Sequence, residues 1–234
     1  MKKFLQFIFS KLSHWLESLR EAISEIAWCF QIAMGVERKP TEPKQDIRLK
    51  ASMKKRIAIS SGHGLHVRGA RGIIDEVDEA RRVTDRVAQI LRARGHECVV
   101  FHDDVSSTVD GNLNAIITWH RAQNRDRDVF VHFNAWHTQD ANGTEAIFRD
   151  VCDKPFAAGV AESMSKVGFR LRPAQNGSTM QGAAQRSDLR VLNSLTDREE
   201  VLIEVCFVTS PKDVKIYKDN FESLCGHIAN ALAA

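Results

Sequence analysis

Residues 56–64 read RIAISSGHG, and the architecture of the chain hangs on them. Ile57–Ile59 is an apolar, largely β-branched run of buried-strand character, and Ser60, Ser61 and Gly62 are turn residues that end it. His63 therefore sits at the mouth of a strand. In open α/β sheets the carboxyl edge gathers loops and helix N-termini around one crevice, and ligands bind there. Gly62 and Gly64 on either side of His63 allow a sharp turn and leave room for a bound group. Taken alone, a capping or hydrogen-bonded histidine is the simpler reading of His63. The residues that follow change the balance.

A loop with Gly64, Gly69 and Gly72 leads into a helix expected over 75–94, with Ala80, Val83, Val87, Ile90 and Leu91 as its apolar stripe. At about 100° per residue, Glu76 falls near the middle of that stripe and Glu79 on its flank. A carboxylate aimed at a sheet needs a partner, either an arginine or a metal, because burying it alone is costly. Cys98–Phe101 reads as a second strand, 112–123 as a helix and Val129–Phe133 as a third strand. Alternation puts Val129, Val131 and Phe133 on one face of that strand, with Phe130 and His132 on the other. Singly, His132 reads as a satisfied core histidine. Together, His63, Glu76 and His132 offer two imidazoles and one carboxylate from positions that can converge on one sheet edge. Such a set suits a catalytic zinc with one coordination position left open.

Thr144–Phe148 is expected as a fourth strand and 155–167 as a helix, followed by a strand-poor, mobile rim over 168–184 rich in Gln, Asn and Ser. Leu189–Leu192 is a short apolar piece. Residues 201–208, VLIEVCFV, form the most apolar run and read as a central strand. Glu204 lies in its middle, where an unpaired carboxylate is expensive, so a functional role is the better reading. Ser210 and Pro211 open a helix, and a further amphipathic helix over 221–232 closes the chain.

With 234 residues, 43% of them hydrophobic, the chain can bury one sizeable core plus an appendage. A formal charge of +3 provides no broad basic field, so no nucleic-acid partner is expected. The five cysteines are odd in number, far apart and lack a C-x-x-C pair, which argues for synthesis in a reducing compartment. Residues 1–36 carry an amphipathic helix pattern through Leu5, Ile8, Leu12, Leu16, Leu19, Ile23 and Ile26. Charges interrupt every window long enough to span a bilayer, and no signal peptide is recognised, because the apolar run stops at Lys11 without a cleavage site. Self-association, binding a partner helix and lying on a membrane surface are the roles open to this helix. The charged, proline-containing stretch 37–54 reads as a linker, leaving 55–234 as the globular domain.

The strand followed by SGHG, then GIIDE before a helix, VHFNA, and LIEVCFV before a Ser-Pro helix start resemble the zinc-dependent N-acetylmuramoyl-L-alanine amidases of the type 3 family. GHGLHVRGARGIIDEVDEAR and SDLRVLN bring the phage endolysin branch closest. The resemblance runs from about Lys55 to the end of the chain. It implies an α/β fold with a twisted, mostly parallel sheet flanked by helices. It also implies hydrolysis, in peptidoglycan, of the amide between the lactyl group of muramic acid and L-alanine. By motif, His63, Glu76 and His132 match the ligands of Zn2+, and Glu204 matches the catalytic glutamate. His66, His102, His120 and His137 match no motif position and read as surface or loop histidines. Where the family often has Arg-Gly, this chain has Gln181 and Gly182 ahead of Arg186, Asp188 and Leu189, so Arg186 inherits that arginine's part or substrate preference differs. Two other readings stand beside this one: a non-catalytic wall-binding or assembly module on an amidase scaffold, and a zinc peptidase cutting within the stem peptide. The implied setting is cytoplasmic synthesis with action on the cell wall after release, as in a phage or prophage lytic enzyme.

Overall fold

The computed structural model of the chain describes residues 54–174 and 180–234. The expected helix over 1–36 lies outside the described residues, as does the linker but for its last residue. β1 (Arg56–Ser61) buries every residue after Arg56. α1 (Glu76–Ala93) begins where Asp75 caps it, the Asp75 carboxylate accepting from the Val77 N–H, and Glu76, Asp78 and Glu79 in its first turn complement the helix dipole. The expected stripe is buried through Ala80, Val83, Val87 and Leu91. β2 (Glu97–Phe101), α2 (Val109–Ala122), β3 (Arg127–Asn134) and β4 (Glu145–Phe148) follow, then α3 (Lys154–Ser165), β5 (Ala183–Gln185), α4 (Arg190–Ser194), β6 (Glu199–Phe207), α5 (Pro211–Asp219) and α6 (Phe221–Ala233). α2 starts ahead of the expected position because the Thr108 hydroxyl accepts from the Gly111 N–H and caps it there. Ser210 does the same for α5, with Pro211 in the first turn.

The strands form one sheet in the order β2-β1-β3-β6-β4-β5, with β4 antiparallel to β6 and every other pair parallel. The mostly parallel α/β sheet is thus the one expected, and VLIEVCFV lies at its interior as β6. β5 was not expected. It falls at the end of the strand-poor stretch, and three residues are too few to carry a period-two signal. Gly182, at φ +76°, sets it up by giving its carbonyl to the Ala146 N–H.

Alternation along the strands builds two cores. Ile57, Ile59, Val129, Val131, Ile203 and Val205 pack under α1, α3, α5 and α6. Phe130, Leu202 and Ile147 pack under α2 and α4 on the opposite face. Each fully buried side chain of this size contributes roughly 1.5–3 kcal/mol. The second layer is the smaller one. Beyond Phe130 and Leu202, towards the carboxyl edge on that same face, come His132 and Glu204, and both are only half-buried.

Candidate metal centre and active site

Register sets the site. His132 on β3 pairs with Glu204 on β6, and Glu145 on β4 pairs with the same Glu204 from the other side. One rung of the sheet therefore carries His132, Glu204 and Glu145 on one face. Glu76 reaches that rung from the first turn of α1. Its Oε1 accepts from the Phe133 N–H at 3.1 Å and lies 3.1 Å from His132 Nδ1, while its Oε2 accepts from the Ala70 N–H at 2.6 Å. His63 Nε2 is 3.5 Å from Glu76 Oε1, and the His63 ring meets His132 edge-on with centroids 4.9 Å apart. His63, Glu76 and His132 thus come together, each offering a ligand atom within 4.8 Å of the others.

Two glycines make room for this. A Cβ on Gly62 would fall inside the His132 ring, and one on Gly69 would overlap the Glu76 carboxylate and the His63 ring. The backbone carrying His63 is fastened on both sides: Asn112 Nδ2 donates to Gly62 O at 3.3 Å, and the Leu65 N–H donates to Asp103 O at 2.7 Å. Arg68 forks onto Asp75 at 3.0 and 2.7 Å and ties the loop to the start of α1. Two imidazoles and a carboxylate, gathered this closely in a cradle that side chains elsewhere would fill, fit a divalent cation.

The electrostatics follow from the packing. Burial works against a charged Glu76, but the hydrogen bond and charge of His132, the charge of His63 and the Ala70 N–H outweigh it and hold its carboxyl below the usual range. Burial, reinforced by His132, lowers His63 and favours the neutral imidazole that a metal ligand must be. Burial opposes a charged His132 as well, yet its bond to Glu76 and the nearby carboxylates raise it. Glu204 is pushed up to about 8, first by burial and then by Glu76 and Glu145, with His132 and Arg186 acting the other way. Its Oε2 is buried with no hydrogen-bond partner among the described residues.

Three further placements bear on the site. His120, expected at the surface or in a loop, is instead fully buried in α2. Its Nε2 is 2.9 Å from Ser60 Oγ and its Nδ1 is 2.6 Å from Asp128 Oδ1. It lies one turn after Ile116 on the buried stripe, a spacing that marks it as core. Ser60, His120 and Asp128 all have 0% exposure, so this Ser-His-Asp arrangement is sealed from any substrate and locks the end of β1. On the other face Ser61 Oγ lies 2.9 Å from His102 Nδ1. His66 and His137 are exposed, as expected. Gln181 is exposed, whereas Arg186 is half-buried, forked onto Asp188 at 2.9 and 2.5 Å and acting electrostatically on Glu204 and Glu145. Glu145 itself was missed. A glutamate opening a short strand carries no periodic signal, and only the register reveals its position.

Fold and cluster define an α/β protein with a two-histidine, one-glutamate cluster at the carboxyl edge of its sheet. The chain belongs to the N-acetylmuramoyl-L-alanine amidase family, whose model matches residues 57–234. The catalytic domain of the CD27L endolysin targeting Clostridia difficile superposes with a TM-score of 0.67 at 20% identity, over 76% of this chain and 96% of that one. The CwlD amidase of Clostridioides difficile, solved with the GerS lipoprotein, gives 0.66 at 20% identity over 76% and 96%. The amidase AmiC2 of Nostoc punctiforme gives 0.61 at 22% identity over 77% and 96%. At these identities the likeness is one of fold. An uncharacterised protein of Clostridium perfringens is 27% identical over 179 residues, 74% of this chain and 50% of its own, so the chain spans about half the length of the curated relatives it matches.

Proposed function

We propose that this chain hydrolyses the amide between N-acetylmuramic acid and L-alanine in peptidoglycan, with zinc held by His63, Glu76 and His132 and with Glu204 as the proton carrier. The observation that carries the reading is the rung itself: Glu204 stands in register with His132, beside the gathered His63 and Glu76. A zinc ion held there supplies Lewis acidity to a water and to the scissile carbonyl.

The rest falls to the chain's own groups. Glu204 takes the proton of the attacking water and delivers it to the leaving nitrogen of L-alanine, so that nitrogen departs as an amine. An acid-base group works best with a pKa near the working pH, and the raised value of Glu204, about 8, suits it to accept a proton and then give it up. Its orphaned Oε2 is an acceptor with no competing partner among the described residues. The Thr144 hydroxyl, donating to Glu204 O at 3.2 Å, fixes the backbone that presents it. Glu76, held by backbone N–H groups, orients the neighbouring imidazoles.

Family membership and the endolysin-like fold support action on the cell wall and a phage or prophage lytic role. Cys98, Cys206 and Cys225 are buried free thiols, in keeping with synthesis in the cytoplasm before release. No helix among the described residues is long and apolar enough to cross a membrane.

Digestion of purified peptidoglycan with mass spectrometry of the products tests the reading, comparing zinc-loaded protein, chelated protein and Glu204→Ala. Free stem peptides beginning at L-alanine, lost in both controls, are expected. Fragments cut inside the stem peptide would favour a peptidase, and zinc binding without cleavage a wall-binding module.

A further inference from the structure

We propose that Glu145 is a positioning residue for Glu204, an inference that rests on the amidase reading above. The two carboxylates are register partners across the antiparallel β4–β6 pair, so their side chains stand side by side on one face. His132 occupies the matching place on the other side of Glu204. Glu145 is 6% exposed and is held from two directions. Asn134 Nδ2 donates to its Oε1 at 2.9 Å, and Arg172 Nε lies 2.9 Å from the same oxygen. The Arg172 guanidinium is in turn stacked over the Phe207 ring, 4.9 Å from its centroid. Asn134 belongs to β3 and Glu145 to β4, with β6 between them, so this chain of polar groups bridges the strand that bears Glu204.

A buried ion pair at this place is a poor device for stability alone, since well-packed apolar residues serve as well or better. It does put a second carboxylate, pinned by Asn134 and Arg172, on the flank of Glu204 away from His132; burial raises the pKa of Glu145, and Arg172 and Asn134 act against that in favour of its ionised form. In its ionised form, the one that takes the water's proton, Glu204 is repelled towards the His132 side, where the reacting water and the leaving nitrogen must lie. Small misplacement of an acid-base group costs rate steeply, so the confinement acts on turnover and leaves substrate binding alone.

The test is Glu145→Gln, which keeps the shape and the Asn134 contact and removes the charge. kcat should fall about tenfold to a hundredfold, with KM within about twofold of wild type and one zinc per chain retained in the folded protein, while the unpaired Arg172 guanidinium lowers the melting temperature without entering the kcat comparison. On a Glu204→Gln background the same change should leave the residual rate within about twofold, because Glu145 acts through Glu204. Asn134→Ala, which leaves the Glu145–Arg172 pair in place, should show the same kcat loss at smaller size and serves if the first variant does not fold. Full kcat in Glu145→Gln, a change confined to KM, or additive losses in the double variant would each overturn the inference while wild-type activity upholds the amidase reading. A wild type that releases no stem peptide would overturn both.

Discussion

His132 and Glu204 face one another as register partners on the parallel β3–β6 pair, at the carboxyl edge where the smaller helix layer ends. Neither position is free to drift, because a one-residue slip of either strand would turn its own side chain towards the opposite core. The sheet therefore fixes Glu204, the proposed proton carrier, against one member of the cluster, and α1 and the β1 turn bring the other two to it.

Glu204→Gln keeps the size of the side chain and removes its basicity. Stem-peptide release should fall by about 10²–10⁴-fold, with zinc content by elemental analysis unchanged. Retained turnover would remove Glu204 from the reaction.

Gly62→Ala places a methyl group where the His132 ring lies. The ring must move, and zinc affinity measured by calorimetric titration should drop at least about tenfold while circular dichroism keeps its native form. Undiminished affinity would show that His132 is not where the metal binds.

Glu200 on β6 is 1% exposed, with neither carboxylate oxygen hydrogen-bonded among the described residues. Burial, then the charges of Asp153 and Asp128, push its pKa up to about 9. The folded state thus keeps a proton that the unfolded chain loses near its ordinary value of about 4.3. Its stabilising effect is complete below that value and declines as pH rises towards 9. Glu200→Gln should melt higher than wild type at pH 8, by about 3 °C or more, and the gap should shrink at pH 5. A gap independent of pH would contradict this.

His120→Ala breaks the sealed Ser60-His120-Asp128 contact and leaves Asp128 to Arg125, whose Nε–H is shared between the two Asp128 oxygens at 2.6 and 2.7 Å. A loss of about 2–4 kcal/mol in urea unfolding is expected, with zinc affinity of the folded protein unchanged. Loss of metal binding without loss of stability would assign His120 a different part.

The cluster and the neighbouring Glu204 stood out in the sequence because each residue sits where a simple pattern breaks: His63 after a strand, Glu76 within an apolar stripe, His132 and Glu204 inside apolar strands. Strands long enough to alternate and helices with caps were legible for the same reason. What escaped depends on relations between distant segments. The Glu145–Glu204 pairing needs the antiparallel placement of β4 on β6, β5 exists only as the partner of β4, and His120 finds Ser60 across 60 residues of sequence.

Crystals grown with zinc, with diffraction recorded on either side of the zinc absorption edge, locate the metal without reference to activity. One anomalous peak is predicted among His63, Glu76 and His132, at roughly 2.0–2.2 Å from a ligand atom of each, with the Glu204 carboxylate facing it. A peak elsewhere, or none on zinc-loaded protein, would contradict the site.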